Sequence, residues 1–150
     1  MKFAAADPDF AARVRASFER QQFMATVGAS IVSVLPGEVV LEVPHRKDLT
    51  QQHGYLHAGV IAAVADSACG YAAFTLMPAD HAVLSVEFKT NLLAPAKGER
   101  FRATARVVRA GRTLTVCTAE VTGFEGGEET LVAVMQATMI GLENRPERRS

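Results

Sequence analysis

The run from Ala58 to Phe74 constrains the fold more than any other stretch. It is rich in alanine and apolar on nearly every side, and a single carboxylate, Asp66, stands in its middle. A helix that is apolar all round is normally buried in a core rather than laid on a surface. A buried carboxylate without a partner is costly, so Asp66 must be paired, hydrogen-bonded or used. A polar loop with two histidines, Thr50-Gln51-Gln52-His53-Gly54-Tyr55-Leu56-His57, leads into this helix. Proline at position 78 sets its expected end near Met77. The rest of the chain reads as a wrapper.

That wrapper begins with a short amphipathic helix, expected over about residues 8–22. Asp7 serves as its cap, Pro8 as its first residue, and Phe10, Val14 and Phe18 line one face. Ile31–Leu35 and Val39–Val43 read as two strands around a Pro36-Gly37 turn. Beyond the central helix four more strands are expected, near 82–93, 101–109, 113–122 and 131–140. In the first of these, Leu84, Val86 and Phe88 alternate with Ser85, Glu87 and Lys89, the period of a strand with two unlike faces. The last is apolar on both sides, as expected of a strand covered on both faces. The charged tail from Glu143 to Ser150 is expected to fray. One long helix cannot cover both faces of six strands. The economical arrangement is an α+β domain in which a strongly curved antiparallel sheet wraps the helix and its outer parts seek a second copy.

Composition narrows the function. With 150 residues the chain is expected to form one domain over 1–150. Sixteen basic residues balance sixteen acidic ones, which argues against a protein that tracks nucleic-acid phosphates and favours self-association. Cys69 and Cys117 show neither a disulfide framework nor a zinc pattern, and Cys69 falls in the apolar helix as a small hydrophobe. His53 and His57 are four apart, but no third ligand has fitting spacing, so no metal is expected. The N-terminus lacks a signal-peptide pattern, and Asp66 interrupts the one long apolar run, so no membrane partner is expected. A reducing, cytoplasmic setting fits best.

Three features occur together: this element order, the His57-Ala58-Gly59 turn, and an acid nine residues after His57. In these the chain resembles the hotdog-fold acyl-CoA thioesterases, and most of all their PaaI-like group. The similarity covers roughly Gly28 to Gly141. Gln51, six residues before His57, matches the family's amide position, with Gln52 as its neighbour. Ser85 matches a strand position that often carries a hydroxyl. The family usually has glycine where Ala58 stands; the role carried over is the backbone N–H, which alanine retains. The resemblance implies hydrolysis of an acyl-CoA thioester without metal or redox cofactor. It also implies a homodimer, assembled further into a homotetramer.

Thioester hydrolysis requires a donor for the carbonyl oxygen and an activated attacker. The N–H groups of Ala58 and Gly59 open a helix, where free donors and the positive dipole end coincide. Asp66 would be the nucleophile or the base that activates water. These two parts are eight residues apart, about 12 Å along a helix. One helix therefore cannot bring both to one carbonyl, whereas two antiparallel helices can. Gln51, His57 and Ala58 are expected from one subunit, with Asp66 and Ser85 from the other, two such sites per isologous dimer. His57 either caps the helix and orients the loop or helps hold the thioester. Gly59, Gln52 and Tyr71 are candidate substrate contacts. Arg109, Arg112, Arg145, Arg148 and Arg149 are the cations available for CoA phosphates. A non-catalytic acyl-CoA binder is the alternative function. A hydratase on the same fold would need a different His-acid motif.

Overall fold

The computed structural model describes residues 2–145. Helix α1 (Phe10–Arg20) and the short helix α2 (Gln22–Val27) lead into strands β1 (Ser30–Leu35) and β2 (Glu38–Pro44). The central helix α3 spans Ala58–Phe74, and β3 (Ala82–Leu92), β4 (Arg100–Ala110), β5 (Leu114–Glu125) and β6 (Glu128–Leu142) follow. All six strands join one antiparallel sheet in the order β1-β2-β4-β5-β6-β3. Helix α3 packs against β2 through β6. This is the curved sheet around one helix that the element order leads one to expect.

Small residues set how closely helix and sheet approach. Leu41, Ala103, Val121 and Ala133 form one row across four strands, and Val39, Ala105, Ala119 and Met135 form the next. All eight are buried, as are Ala65, Ala68 and Ala72 of the helix. Alanine against alanine lets the backbones come close with few voids. The opposite face of the sheet is polar: Glu42 pairs with Arg100 and Arg102, and Glu38 with Arg106.

Several boundaries differ from the sequence expectation, each for a local reason. Helix α1 starts at Phe10, because the Asp7 side chain accepts the Asp9 N–H (2.9 Å) and closes a turn before the helix. It breaks at Gln21, whose backbone is extended (φ −81°, ψ 95°), about where the expected helix ends, and a second short helix, α2, follows that was not expected. Helix α3 stops at Phe74. Thr75 Oγ donates to Ala72 O (2.6 Å) and accepts the Gly37 N–H (2.8 Å), while the Arg13 guanidinium takes the carbonyls of Phe74, Met77 and Pro78. Gly37 has φ +78°, and a Cβ there would meet the Phe3 ring at 2.6 Å.

Two strands also depart from expectation. In β3 a bulge falls at Val86, because Ser85 pairs with Met139 and Glu87 with Thr138. The simple alternation is lost and every residue from Leu84 to Lys89 is exposed. In β6 one face is buried (Ala133, Met135, Ala137, Met139), but Val134, Gln136, Thr138 and Ile140 are not, so within one chain the strand is covered on one face only. Of the tail expected to fray, Glu143 and Asn144 form a turn, and residues 146–150 lie outside the described residues.

Candidate active site

The loop before α3 is closed by its own side chains. Gln51 Oε1 accepts the His53 N–H (2.5 Å) and the Tyr55 N–H (3.4 Å), and the Gln51 N–H donates to Tyr55 O (2.9 Å). His45 Nε2 bonds Gly54 O (3.1 Å) across the turn. The loop is tied to the body by Leu56 N–H to Ala96 O (3.0 Å) and His57 N–H to Leu49 O (2.9 Å).

Helix α3 then begins under a histidine cap. The Gly59 N–H donates to His57 Nδ1 at 2.8 Å. A Cβ on Gly59 would sit 2.9 Å from that nitrogen, so glycine is what lets the ring approach. Of the two readings of His57, the geometry displays the cap. It also occupies one of the two candidate donors, which leaves the Ala58 N–H as the group to face a ligand. Ala58 and Gln51 line a cavity of about 450 Å³, walled by Tyr55, Ile61, Leu92 and Pro95. Gln52 is exposed on the turn and lines no part of it. Gly59 is exposed as well, with its N–H taken by the cap.

Asp66 opens onto a different cavity, of about 210 Å³, shared with Gln21, Ser67, Gly70, Tyr71 and Ser85. The Ser85 hydroxyl donates to Asp66 Oδ1 at 2.6 Å, the short distance of a bond to a charged acceptor. The neighbouring Ser67 bonds Gln21 Oε1 (3.1 Å) rather than Asp66. Tyr71 OH lies 3.1 Å from Ser17 Oγ. Among the ion pairs of the described residues none includes Asp66. The half-buried carboxylate therefore has one oxygen held by a hydroxyl and borders open space.

The structure thus groups the expected residues into two sets: Gln51 and Ala58 in one cavity, Asp66, Ser85 and Tyr71 in the other. Arg109, Arg112 and Arg145 are exposed and line neither; Arg148 and Arg149 lie outside the described residues. Gln21 was not foreseen. As a good helix former inside an apparent amphipathic helix it gave no signal of its own.

This fold, with a helix N-terminus and a serine-held aspartate on one buried helix, is that of the hotdog proteins. Residues 53–130 match the profile of the Thioesterase superfamily. The chain is 57% identical to a thioesterase family protein from Silicibacter pomeroyi of solved structure, with TM-score 0.88 over 89% of this chain and 98% of that one. It is 31% identical to the 1,4-dihydroxy-2-naphthoyl-CoA hydrolase of Listeria monocytogenes over 65% of this chain and 79% of that protein. The E. coli PaaI protein, at 20% identity, shares the fold with TM-score 0.81 over 89% of this chain and 94% of that one. The chain belongs to the thioesterase superfamily and is a thioester hydrolase. Among the described residues no helix is long and apolar enough to cross a membrane.

Proposed function

We propose that the chain, acting as one domain, hydrolyses acyl-CoA thioesters at a site completed by a second copy of itself. The observation that carries this is the placement of β3. It is an edge strand, and Leu84, Val86, Phe88 and Leu92 on it are 45–59% exposed. An exposed apolar edge is a template for pairing. Leu84 and Ser85, near its start, line the Asp66 cavity; Leu92, its last residue, lines the Ala58 cavity. Antiparallel pairing of two β3 strands sets the end of one beside the start of the other. The Ala58 cavity of one subunit then meets the partner's Asp66 and the partner's Ser85.

In that joint cavity the Ala58 N–H, at the positive end of α3, receives the negative charge that develops on the thioester oxygen. The Gln51 amide, its oxygen already committed to the turn, offers its NH₂ group to the same ligand. Ser85 fixes one oxygen of Asp66 and leaves the other to deliver the attack, directly or through a water that it deprotonates. The outer face of the sheet, with Val134 and Ile140 half-exposed among ion pairs, is the surface left for joining two dimers into a tetramer. A cytoplasmic, reducing setting accords with two free, buried cysteines and with CoA as the leaving thiol.

The test is complementation. An Asp66→Asn subunit and a Gly59→Val subunit are each prepared as strongly impaired homodimers, then mixed and exchanged. About half the dimers become mixed, and each of these regains one intact site, measured as thiol release from acyl-CoA substrates. Mixtures that never recover activity would refute the shared site. Wild-type protein that binds acyl-CoA but releases no thiol would make the chain a binding protein.

A further inference from the structure

Strand β3 carries its polarity the wrong way round. Leu84, Val86, Phe88 and Leu92 are 45–59% exposed, whereas Thr90 is the one residue from Leu84 to Leu92 that is not exposed. Its Oγ1 is buried and has no hydrogen-bond partner among the described residues. Native chains pair nearly all such groups, because an unpaired one keeps the cost of leaving water with nothing gained in return. The other polar side chains of the strand are all engaged. Ser85 donates to Asp66 (2.6 Å), Glu87 accepts from Thr138 (2.5 Å), and Lys89 donates to Asn91 (2.6 Å). Thr90 alone has bonding capacity left over.

The place of this hydroxyl matters more than its cost. Ser85 borders the Asp66 cavity, Leu92 borders the Ala58 cavity, and Thr90 stands between them on the strand. Antiparallel pairing of two copies of β3 brings this middle stretch close to the two-fold axis. Apolar contact is non-directional, so Leu84, Val86, Phe88 and Leu92 do not by themselves choose one register. A slip of two residues keeps every side chain on its own face and shifts the strands by about 7 Å. Such a slip carries the Ala58 N–H away from the partner's Asp66, where a misplacement of about 1 Å already lowers the rate. One polar residue within an apolar interface is the best-attested means of fixing register.

We infer that Thr90 is the register pin of the proposed seam between copies, and so a positioning residue for the shared site. Thr90 is half-buried although its hydroxyl is covered, so its exposed surface belongs to its other atoms. A turn about χ1 moves the hydroxyl to another staggered position and leaves the backbone in place. There it donates to a backbone carbonyl on the edge of the partner strand, where unpaired groups are available. This rests on the two-copy site proposed above.

The experiment compares wild type, Thr90→Val and Thr90→Ser, each carrying a spin label at Glu129→Cys, an exposed position that lines neither cavity. Cys69 and Cys117 are buried and do not compete for the label. Distance measurements between the labels of a dimer should give one separation for wild type and for Thr90→Ser. Thr90→Val, of nearly the same shape, should add a second separation, displaced by up to about 7 Å. Its kcat should fall by about twofold or more, to the fraction of dimers that keep the wild-type separation, with KM unchanged. A single separation in Thr90→Val would overturn the pin, as would a loss of activity that Thr90→Ser shares. So would a Thr90→Val protein that falls to monomers, because the hydroxyl would then hold the seam together rather than set its register. In each of these cases, recovery of activity in mixed Asp66→Asn and Gly59→Val dimers leaves the proposed function standing; active wild-type monomers remove both.

Discussion

The two ends of the candidate site are held very differently. Around Ala58, a loop closed by Gln51 and His45, tied down at Leu56 and His57, and capped through His57 Nδ1 leaves little freedom. Around Asp66 a single hydroxyl, from Ser85, holds one carboxylate oxygen. An oxyanion donor works by being fixed in advance, because its benefit lies in not having to reorganise as charge develops. An attacking group must instead move a proton or form a bond, and needs one oxygen free. The contrast is what a division of labour between donor and attacker requires.

Removing the proposed attacker should have the largest effect. Asp66→Asn should lower kcat by about 10³-fold, within the range for loss of a general base, while size-exclusion chromatography shows the native oligomer. Near-normal turnover would reduce Asp66 to a structural residue.

Loosening the rigid end should come second. Gly59→Val drives a side chain into the His57 ring, which lies 2.9 Å from a Cβ at that position. The cap is lost at a cost of about 1 kcal/mol in stability. The displaced Ala58 N–H should lower kcat by about 10²-fold, the scale of a 1 Å misplacement. A variant with wild-type kcat would show that this end needs no pinning.

Ser85→Ala tests the looser end more gently. In the proposed mechanism the hydroxyl orients Asp66 without reacting, so kcat should fall by about tenfold, the worth of one bond to a charged group, with KM little changed. An equal loss in Asp66→Asn and in the double variant would confirm that Ser85 acts through the carboxylate.

The smallest effect comes from the core between the two ends. Burial pushes the Cys117 thiol up to about 12, and burial pushes Cys69 up as well. In the unfolded chain both ionise near their ordinary range, about 8.5–9, so above it the unfolded state binds fewer protons than the folded one. Stability should be flat in this respect below pH 8 and fall between about pH 9 and 12. The loss should be on the order of 1 kcal/mol per thiol by pH 10. Denaturant titrations at pH 8 and pH 10 measure it, and Cys117→Ala should flatten the slope.

Much of this arrangement was legible in the sequence because it follows from short-range pattern. The apolar run marked out α3, and the eight-position step from Ala58 to Asp66 set their separation along it. What was not legible depends on distant partners. The bulge at Val86 arises from register against β6, which no property of Val86 announces. At the break, the Gln21 side chain is bonded by Ser67, 46 positions away. The apolar outer positions of β6 suggested a covered strand, but within one chain they are only partly buried. His57 could be read two ways until its ring was seen over Gly59.

Alanine packed on alanine gives α3 no slack. Ala65, Ala68 and Ala72 lie against a sheet lined with Ala103, Ala105, Ala119 and Ala133, so the helix can neither roll nor lift without opening voids on both sides. The spacing from Ala58 to Asp66 is thus a constant of each chain. If the proposed site holds, adaptation to a different thioester has to come from the proposed seam between copies or from the cavity walls, while the helix that carries Ala58 and Asp66 stays where it is.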